Sequence, residues 1–157
     1  MEKIELHPDF KDFLRFLNSN GVEYLIVGGY AVGYHGYPRA TGDMDIWIGI
    51  SEWNAEKAAK ALRDFGMPEE QVSKQMFLEK DKVIRIGVPP VRLEIITGAS
   101  GVDFPCCYSR KKSMDIDGIP VNFISLEDLR ANKRAAGSSS TLSFFIYPPL
   151  PAHHKAC

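Results

Sequence analysis

Residues 25–32 of the chain read Leu-Ile-Val-Gly-Gly-Tyr-Ala-Val, and residues 39–46 read Arg-Ala-Thr-Gly-Asp-Met-Asp-Ile. The first stretch is a short apolar run ended by two glycines, which predicts a buried strand over 24–27 followed by a tight turn and a short helix over 30–36. The second stretch begins an alternating segment with β-branched and aromatic residues, which predicts a strand over 43–48. The two stretches therefore predict two strands joined by a glycine turn, a short helix and a loop.

The alternation of the second strand predicts a pair of carboxylates on one face. Residues two apart in a strand point to the same side, so Asp43 and Asp45 are expected side by side. Close carboxylates repel each other, and a divalent cation relieves that repulsion; Mg²⁺ prefers oxygen ligands combined with substrate phosphates. Gly28 and Gly29 lack side chains, so backbone N–H groups at a helix start can approach a phosphate. The two stretches together predict a site for a cation and a phosphate.

The remaining patterns predict helices alternating with strands, which is typical of an α/β domain. Helices are predicted over 8–20, 52–65 and 125–136, the second capped by Ser51 and the third opened by the capping box Ser125-Leu126-Glu127-Asp128. Strands are predicted over 91–96, 111–116 and 119–124, the last two joined by the turn Asp117-Gly118. Residues 75–79 and 82–88 are expected to pair with each other as a hairpin.

The composition bounds the class of protein. With 157 residues, 45% of them hydrophobic, the chain has the size and core content of one globular domain. A formal net charge of -1 excludes a strongly basic protein, so no nonspecific DNA binding is expected. The predicted domain covers 1–137. Residues 138–157 contain no acidic residue and several prolines, and they are interpreted as a flexible C-terminal tail.

The lack of a signal-peptide pattern and the spacing of the cysteines predict a cytoplasmic protein. The N-terminus alternates charged and apolar residues, which is not the pattern of a signal peptide, and no apolar stretch has the length of a membrane span. No membrane partner is therefore expected. The three cysteines, Cys106, Cys107 and Cys157, suit neither a disulfide framework nor a C-x-x-C metal site, which favours a reducing compartment.

A glycine turn after a strand, an Asp-x-Asp on the next strand and a third acid on a later strand together resemble the nucleotidyltransferase superfamily that includes DNA polymerase beta. The chain looks most similar to its small bacterial members, the minimal nucleotidyltransferases and the abortive-infection toxins. The residues that carry the resemblance are Val27-Gly28-Gly29, Asp43-Met44-Asp45 and Glu94. The resemblance covers roughly residues 10–137.

The resemblance implies a small mixed β-sheet flanked by helices and a specific reaction. A nucleoside monophosphate would pass from a nucleoside triphosphate to an acceptor hydroxyl, with release of pyrophosphate. Asp43 and Asp45 would hold Mg²⁺ against the triphosphate, and Glu94 would complete a metal site or help to deprotonate the acceptor. The expected nucleotide-binding residues are Gly28, Gly29, Arg39, Thr41 and Lys133. In related proteins the acceptor is a protein side chain, an RNA end or a small molecule, and the sequence does not choose among them.

Two other hypotheses stay open at this point. The third acid of the superfamily is usually Asp, and Glu94 is one methylene longer; the composition also changes after Gly137. Both departures favour a degenerate member that binds nucleotide, or a partner protein, without turnover. The weaker hypothesis is an interaction protein of the toxin–antitoxin type, which copurification of a second protein would support.

Overall fold

A six-stranded mixed β-sheet organises the computed structural model, which describes residues 6–37, 42–88 and 91–137. The strand order across the sheet is β3-β4-β2-β1-β6-β5. The elements follow one another along the chain as α1 (Pro8–Ser19), β1 (Tyr24–Val27), α2 (Gly28–Tyr34), β2 (Asp43–Ile48), α3 (Glu52–Phe65), β3 (Val83–Val88), β4 (Val91–Ile96), α4 (Phe104–Ser109), β5 (Lys112–Ile116), β6 (Ile119–Phe123) and α5 (Leu126–Ala136). The predicted α/β class, a small mixed sheet flanked by helices, is confirmed.

The centre of the sheet is built from strands that are distant in sequence. β2 pairs antiparallel with β1 on one side and parallel with β4 on the other. β1 also pairs parallel with β6, and β5 and β6 form the predicted hairpin. Asp117 and Gly118 both adopt positive φ, 53° and 84°, at the turn of that hairpin. This is the turn geometry for which an Asp-Gly pair is suited.

Local signals set the ends of α3 and α5 where the sequence predicted them, whereas α2 spans Gly28–Tyr34 instead of the predicted 30–36. The Ser51 side chain accepts a hydrogen bond from the backbone N–H of Asn54 at the start of α3, and Gly66 ends that helix in the left-handed region. Ser125 accepts from the N–H of Asp128 at the start of α5. Each cap satisfies backbone groups that have no partner inside the helix, and it therefore fixes the residue at which the helix begins or ends.

One predicted hairpin is wrong. Residues 74–77 form a 3₁₀ helix instead of a strand, and β3 pairs with β4 instead of with 75–79. The physical reason is that β4 already lies in the sheet beside β2, so its free edge offers β3 a complete antiparallel ladder from Val83↔Ile96 to Val88↔Val91. The short helix α4 was not predicted; Asp103 caps it and Pro105 lies in its first turn.

The core lies on the sheet and beneath α1 and α3. α1 buries Phe10, Phe13, Leu14 and Leu17, the same residues that formed its apolar stripe in the sequence. β1 is buried along its whole length, as expected of a central strand. Of the cysteines, Cys107 is a buried free thiol.

The predicted tail over 138–157 and the loop residues Arg39 and Thr41 lie outside the described residues. Within the described ranges, no helix combines the length and the apolar character that crossing a membrane requires.

Candidate active site

The parallel pairing of β2 and β4 brings the predicted acids together. Asp45 lies opposite Glu94 in the register, and Asp43 lies opposite Arg92. Leu93 and Ile95 are buried, so strand alternation directs Glu94 to the other face of β4, the face that Asp43 and Asp45 share on β2. Three carboxylates from two separate stretches of the chain therefore lie on one surface of two adjacent strands.

Two arginines are interleaved with these acids. Arg92 Nη2 lies 2.8 Å from Asp43 Oδ2 and 3.5 Å from Glu94 Oε2. Arg85 on the edge strand β3 lies opposite Glu94, and its Nε donates to Glu94 Oε2 over 2.8 Å. The site is therefore a network of alternating charges. The sequence interpretation did not assign either arginine to the site, although strand alternation places Arg92 on the same face as Glu94.

Asp45 has the most perturbed carboxyl group of the site. Its pKa is raised from 3.8 to about 7, first because burial disfavours the charged form, and then because the carboxyls of Glu94 and Asp43 lie close by. A hydrogen bond between the Asp45 and Glu94 carboxyls adds to the effect, since it requires a proton on one of them. Perturbed acids of this kind are concentrated at functional sites.

The raised pKa predicts a pH-dependent stability. Because the folded state binds the Asp45 proton more tightly than the unfolded chain, its contribution is fully present below about pH 4 and is lost as the pH rises towards 7. Asp45→Asn should therefore be more stable than the natural chain by about 1–2 kcal/mol at pH 8, the full shift being reduced by partial solvent contact. The difference should vanish near pH 4. Urea unfolding across this range measures it.

A surface aspartate supplies the control for that experiment. Asp12 forms an exposed ion pair with Arg15 on α1, so Asp12→Asn should change stability little at pH 8. If Asp45→Asn showed no more stabilisation at pH 8 than at pH 4, the burial and charge repulsion assigned to Asp45 would be wrong.

The glycine turn positions β1 against the acids. Gly28 is buried and has φ of 66°, and a Cβ at this position would overlap Asp45 Oδ2. A side chain here would therefore collide with the carboxylate of Asp45 as well as strain the backbone. Gly29 is half-buried inside α2 and does not have positive φ. The left-handed conformation is at Gly28 because the chain turns from β1 into α2 at that residue.

Substitution of Gly28 should damage both the fold and the site. We expect Gly28→Ala to lower the free energy of unfolding by about 1–3 kcal/mol, the usual cost of a strained backbone conformation, and to displace Asp45. Gly33→Ala is the matched control, since Gly33 lies in the same helix and a Cβ there would meet nothing within 4 Å. That variant should be neutral or more stable by up to about 1 kcal/mol. Thermal unfolding compares the two; equal effects would contradict the role of Gly28.

Lys133 and Tyr30 lie within electrostatic range of the acids. Lys133 on α5 lies close enough to Asp45 that its charge counteracts part of the rise in the Asp45 pKa. The pKa of Tyr30 is raised by burial and then by the negative charge of Asp43. Lys133 therefore belongs to the charge environment of the site.

Tyr34 is a packing residue. Its ring stacks on the ring of Phe123, with 4.3 Å between the ring centroids.

The acids do not form a closed metal cage. Among residues 6–37, 42–88 and 91–137, no three histidine, cysteine, aspartate or glutamate side chains are arranged to hold a metal ion together. Glu94 is within hydrogen-bonding reach of Asp45, whereas Asp43 is drawn towards Arg92. The third predicted acid therefore lies close to one of the two aspartates, Asp45.

A cavity of about 670 Å³ lies further along the strands that carry the acids. Trp47, two residues after Asp45 and on the same face of β2, forms part of its wall and packs edge-on against Phe104. Arg110, held by two hydrogen bonds of 3.0 Å to the buried Asp128, lines another side. The cavity has the size and the mixture of aromatic and polar groups of a small-molecule site.

Solved structures identify the fold. A protein from Thermotoga maritima, provisionally named a nucleotidyltransferase, superposes with a TM-score of 0.57 at 14% sequence identity, over 90% of this chain and 93% of that one. Two weaker overlaps are with an antigenic nucleotidyltransferase-like protein from Paracoccidioides brasiliensis (TM-score 0.47, 18% identity, 90% and 75% covered) and with the antibiotic-resistance factor ANT(2'')-Ia (0.48, 14%, 92% and 75%). The chain therefore has the nucleotidyltransferase fold, which confirms the resemblance at that level.

Sequence similarity does not extend this assignment. No protein-family model matches the chain, and no curated protein matches it.

Proposed function

We propose that the protein is a nucleotidyltransferase that moves a nucleoside monophosphate from a nucleoside triphosphate to an acceptor hydroxyl. The observation that carries the proposal is the cross-strand pair Asp45 and Glu94, with Asp43 on the same face and a glycine turn packed against Asp45, in a chain with this fold. A stabilising role does not explain this arrangement, because burial and mutual repulsion disfavour the ionised form of Asp45.

The donor set suits Mg²⁺. Asp43, Asp45 and Glu94 offer only oxygen atoms. The pKa of Asp45 is raised first by burial and then by the neighbouring carboxyls, whose negative charge a divalent cation would offset. These are the residues that would hold the ion, with triphosphate oxygens completing its coordination. When bound, Mg²⁺ supplies Lewis-acid stabilisation of charge on the transferring phosphoryl group.

The protein's own groups would carry the rest of the chemistry. The acceptor hydroxyl oxygen would form a bond to the α-phosphorus while the bond to the departing pyrophosphate breaks, and Glu94 would take up the hydroxyl proton. Lys133 would add positive charge beside the phosphates. The absence of a side chain at the half-buried Gly29 would leave the backbone open to them. Positioning and charge stabilisation would supply most of the rate.

A transfer assay tests the proposal. The full chain is incubated with Mg²⁺, each of the four α-labelled triphosphates in turn, and a cell extract containing protein, RNA and small molecules. Label transferred to any acceptor by the natural chain, and lost in Asp45→Asn but not in Asp12→Asn, is the expected result. Mass spectrometry of the labelled fraction then assigns the acceptor. Triphosphate binding without transfer to any fraction would overturn the proposal.

The second candidate is a nucleotide-binding module without turnover. The ion pair between Arg92 and Asp43 favours it, because a carboxylate held by a guanidinium is less accessible to a metal ion. Calorimetry with a nonhydrolysable triphosphate distinguishes the candidates when it is combined with the transfer assay. Binding that depends on Asp45, without any labelled product, would support the module.

A further inference from the structure

Arg92 forms an ion pair with Asp43, one of the acids proposed to hold the cation. Its Nη2 lies 2.8 Å from Asp43 Oδ2 and 3.5 Å from Glu94 Oε2, so one nitrogen lies between two of the three acids. The contact is set by strand register, since Arg92 is directly opposite Asp43 in the parallel pair of β2 and β4. Neighbouring strands hold it in place, which distinguishes it from a chance contact between long surface side chains.

We propose that Arg92 is the resident counter-ion of the site: it holds Asp43 in the absence of a divalent cation, yields that carboxylate when the cation binds, and then binds a phosphate of the triphosphate. This inference rests on the proposed function and assigns to Arg92 a role that no other residue of the site is given. The exchange breaks and forms only hydrogen bonds and ion pairs.

The hydrogen-bonding state of Arg92 favours such an exchange. Its Nε is buried and has no hydrogen-bond partner among the described residues. A buried donor without a partner is unfavourable, so the guanidinium is incompletely satisfied in its contact with Asp43. A phosphate group accepts hydrogen bonds from two guanidinium nitrogens at once, a geometry for which arginine is suited.

The exposure of Arg92 also fits a residue that changes partners. Its side chain is 28% exposed, enough to meet a ligand entering the site. Arg85, the other arginine of the network, is 58% exposed and pairs with Glu94 at the edge of the sheet. Its strand, β3, is separated from Asp43 on β2 by the whole of β4. Arg85 is therefore less restrained by its surroundings than Arg92. Substitution of Arg85 provides a control for substitution of Arg92 within the same network.

Metal binding without nucleotide tests the first half of the proposal. Electron paramagnetic resonance counts free Mn²⁺ in titrations of the natural chain, Arg92→Gln, Arg85→Gln and the surface control Arg15→Gln. Arg92→Gln should bind Mn²⁺ about tenfold more tightly, because a competing charge-assisted contact is gone. Arg85→Gln should show a smaller gain, and Arg15→Gln no change. Unchanged or weaker Mn²⁺ binding by Arg92→Gln would overturn the proposal.

Nucleotide binding at saturating Mn²⁺ tests the second half. A nonhydrolysable triphosphate should bind Arg92→Gln about tenfold more weakly than the natural chain, since a phosphate contact is lost. If Arg92 only stabilised the sheet, Arg92→Gln would not bind Mn²⁺ more tightly and the triphosphate more weakly. A loss of both affinities would assign it that structural role and overturn the proposal.

A measurement on the natural chain covers the case in which Arg92→Gln does not fold. Nitrogen-15 NMR follows the arginine Nε–H signals during a Mg²⁺ titration, with Arg92 identified from Arg92→Lys. The Arg92 signal should shift when metal is added and again when triphosphate is added, whereas the Arg15 signal should not shift. An unchanged Arg92 signal would overturn the exchange.

If Asp45→Asn binds Mn²⁺ as the natural chain does, the metal site of the proposed function fails, independently of the result for Arg92.

Discussion

Asp45→Asn should remove Mg²⁺-dependent triphosphate binding while leaving the protein folded. The substitution replaces a charged ligand by an amide of the same shape in the most strongly perturbed acid of the site. We expect affinity for a nonhydrolysable triphosphate to fall by roughly 100-fold or more, given that groups which only orient a metal ligand already contribute about 10–100-fold. Titration calorimetry with Mg²⁺ measures the affinity.

The same variant gives an independent check on folding. Because Asp45→Asn should be more stable than the natural chain at pH 8, a loss of binding cannot be attributed to unfolding. Asp43→Asn should also lose binding, and Asp12→Asn should not. Unchanged affinity in both Asp43→Asn and Asp45→Asn would contradict the metal assignment.

Glu94→Gln should abolish transfer and keep nucleotide binding. The glutamine retains the length and shape of Glu94 and still accepts hydrogen bonds from Arg85, but it takes up no proton. If Glu94 is the general base, the turnover number should fall by about 10²–10⁴-fold, with little change in triphosphate affinity. The transfer assay and calorimetry on the same preparation separate these two effects.

The length of the Glu94 side chain is a second variable. Glu94→Asp shortens the reach towards Asp45 and weakens the contact with Arg85. If this variant is more active than the natural chain, the extra methylene of Glu94 limits the enzyme. If Glu94→Gln transfers at the natural rate, Glu94 is a structural partner of the two arginines, and the binding module becomes the better proposal.

Much of the fold follows from local sequence signals. The apolar stripe of α1, the caps Ser51 and Ser125, and the Asp117-Gly118 turn each act over a few residues, so they specify their elements without tertiary contacts. The strands β2 and β4 follow from alternation for the same reason. The presence of Asp43, Asp45 and Glu94 on strand faces was therefore predictable.

Strand partners were not predictable in this way. β3 pairs with β4 because β4 offers a free edge once β2 has taken the other, and no local pattern in 82–88 encodes that choice. The wrong hairpin paired 82–88 with the preceding residues 75–79, whereas the partner of β3 is β4, the strand that follows it in the chain. The correct pairing matters for the site, because it brings Arg85 onto Glu94.

The sequence by itself determined which acids and glycines could form a site, since residue type and strand alternation are local properties. Only the tertiary structure decided how they are charged and paired. Burial between strands raises the pKa of Asp45, the parallel register of β2 and β4 sets Arg92 against Asp43, and the turn at Gly28 brings β1 within contact of Asp45. Each of these depends on distances between residues far apart in the chain, which only the folded sheet fixes.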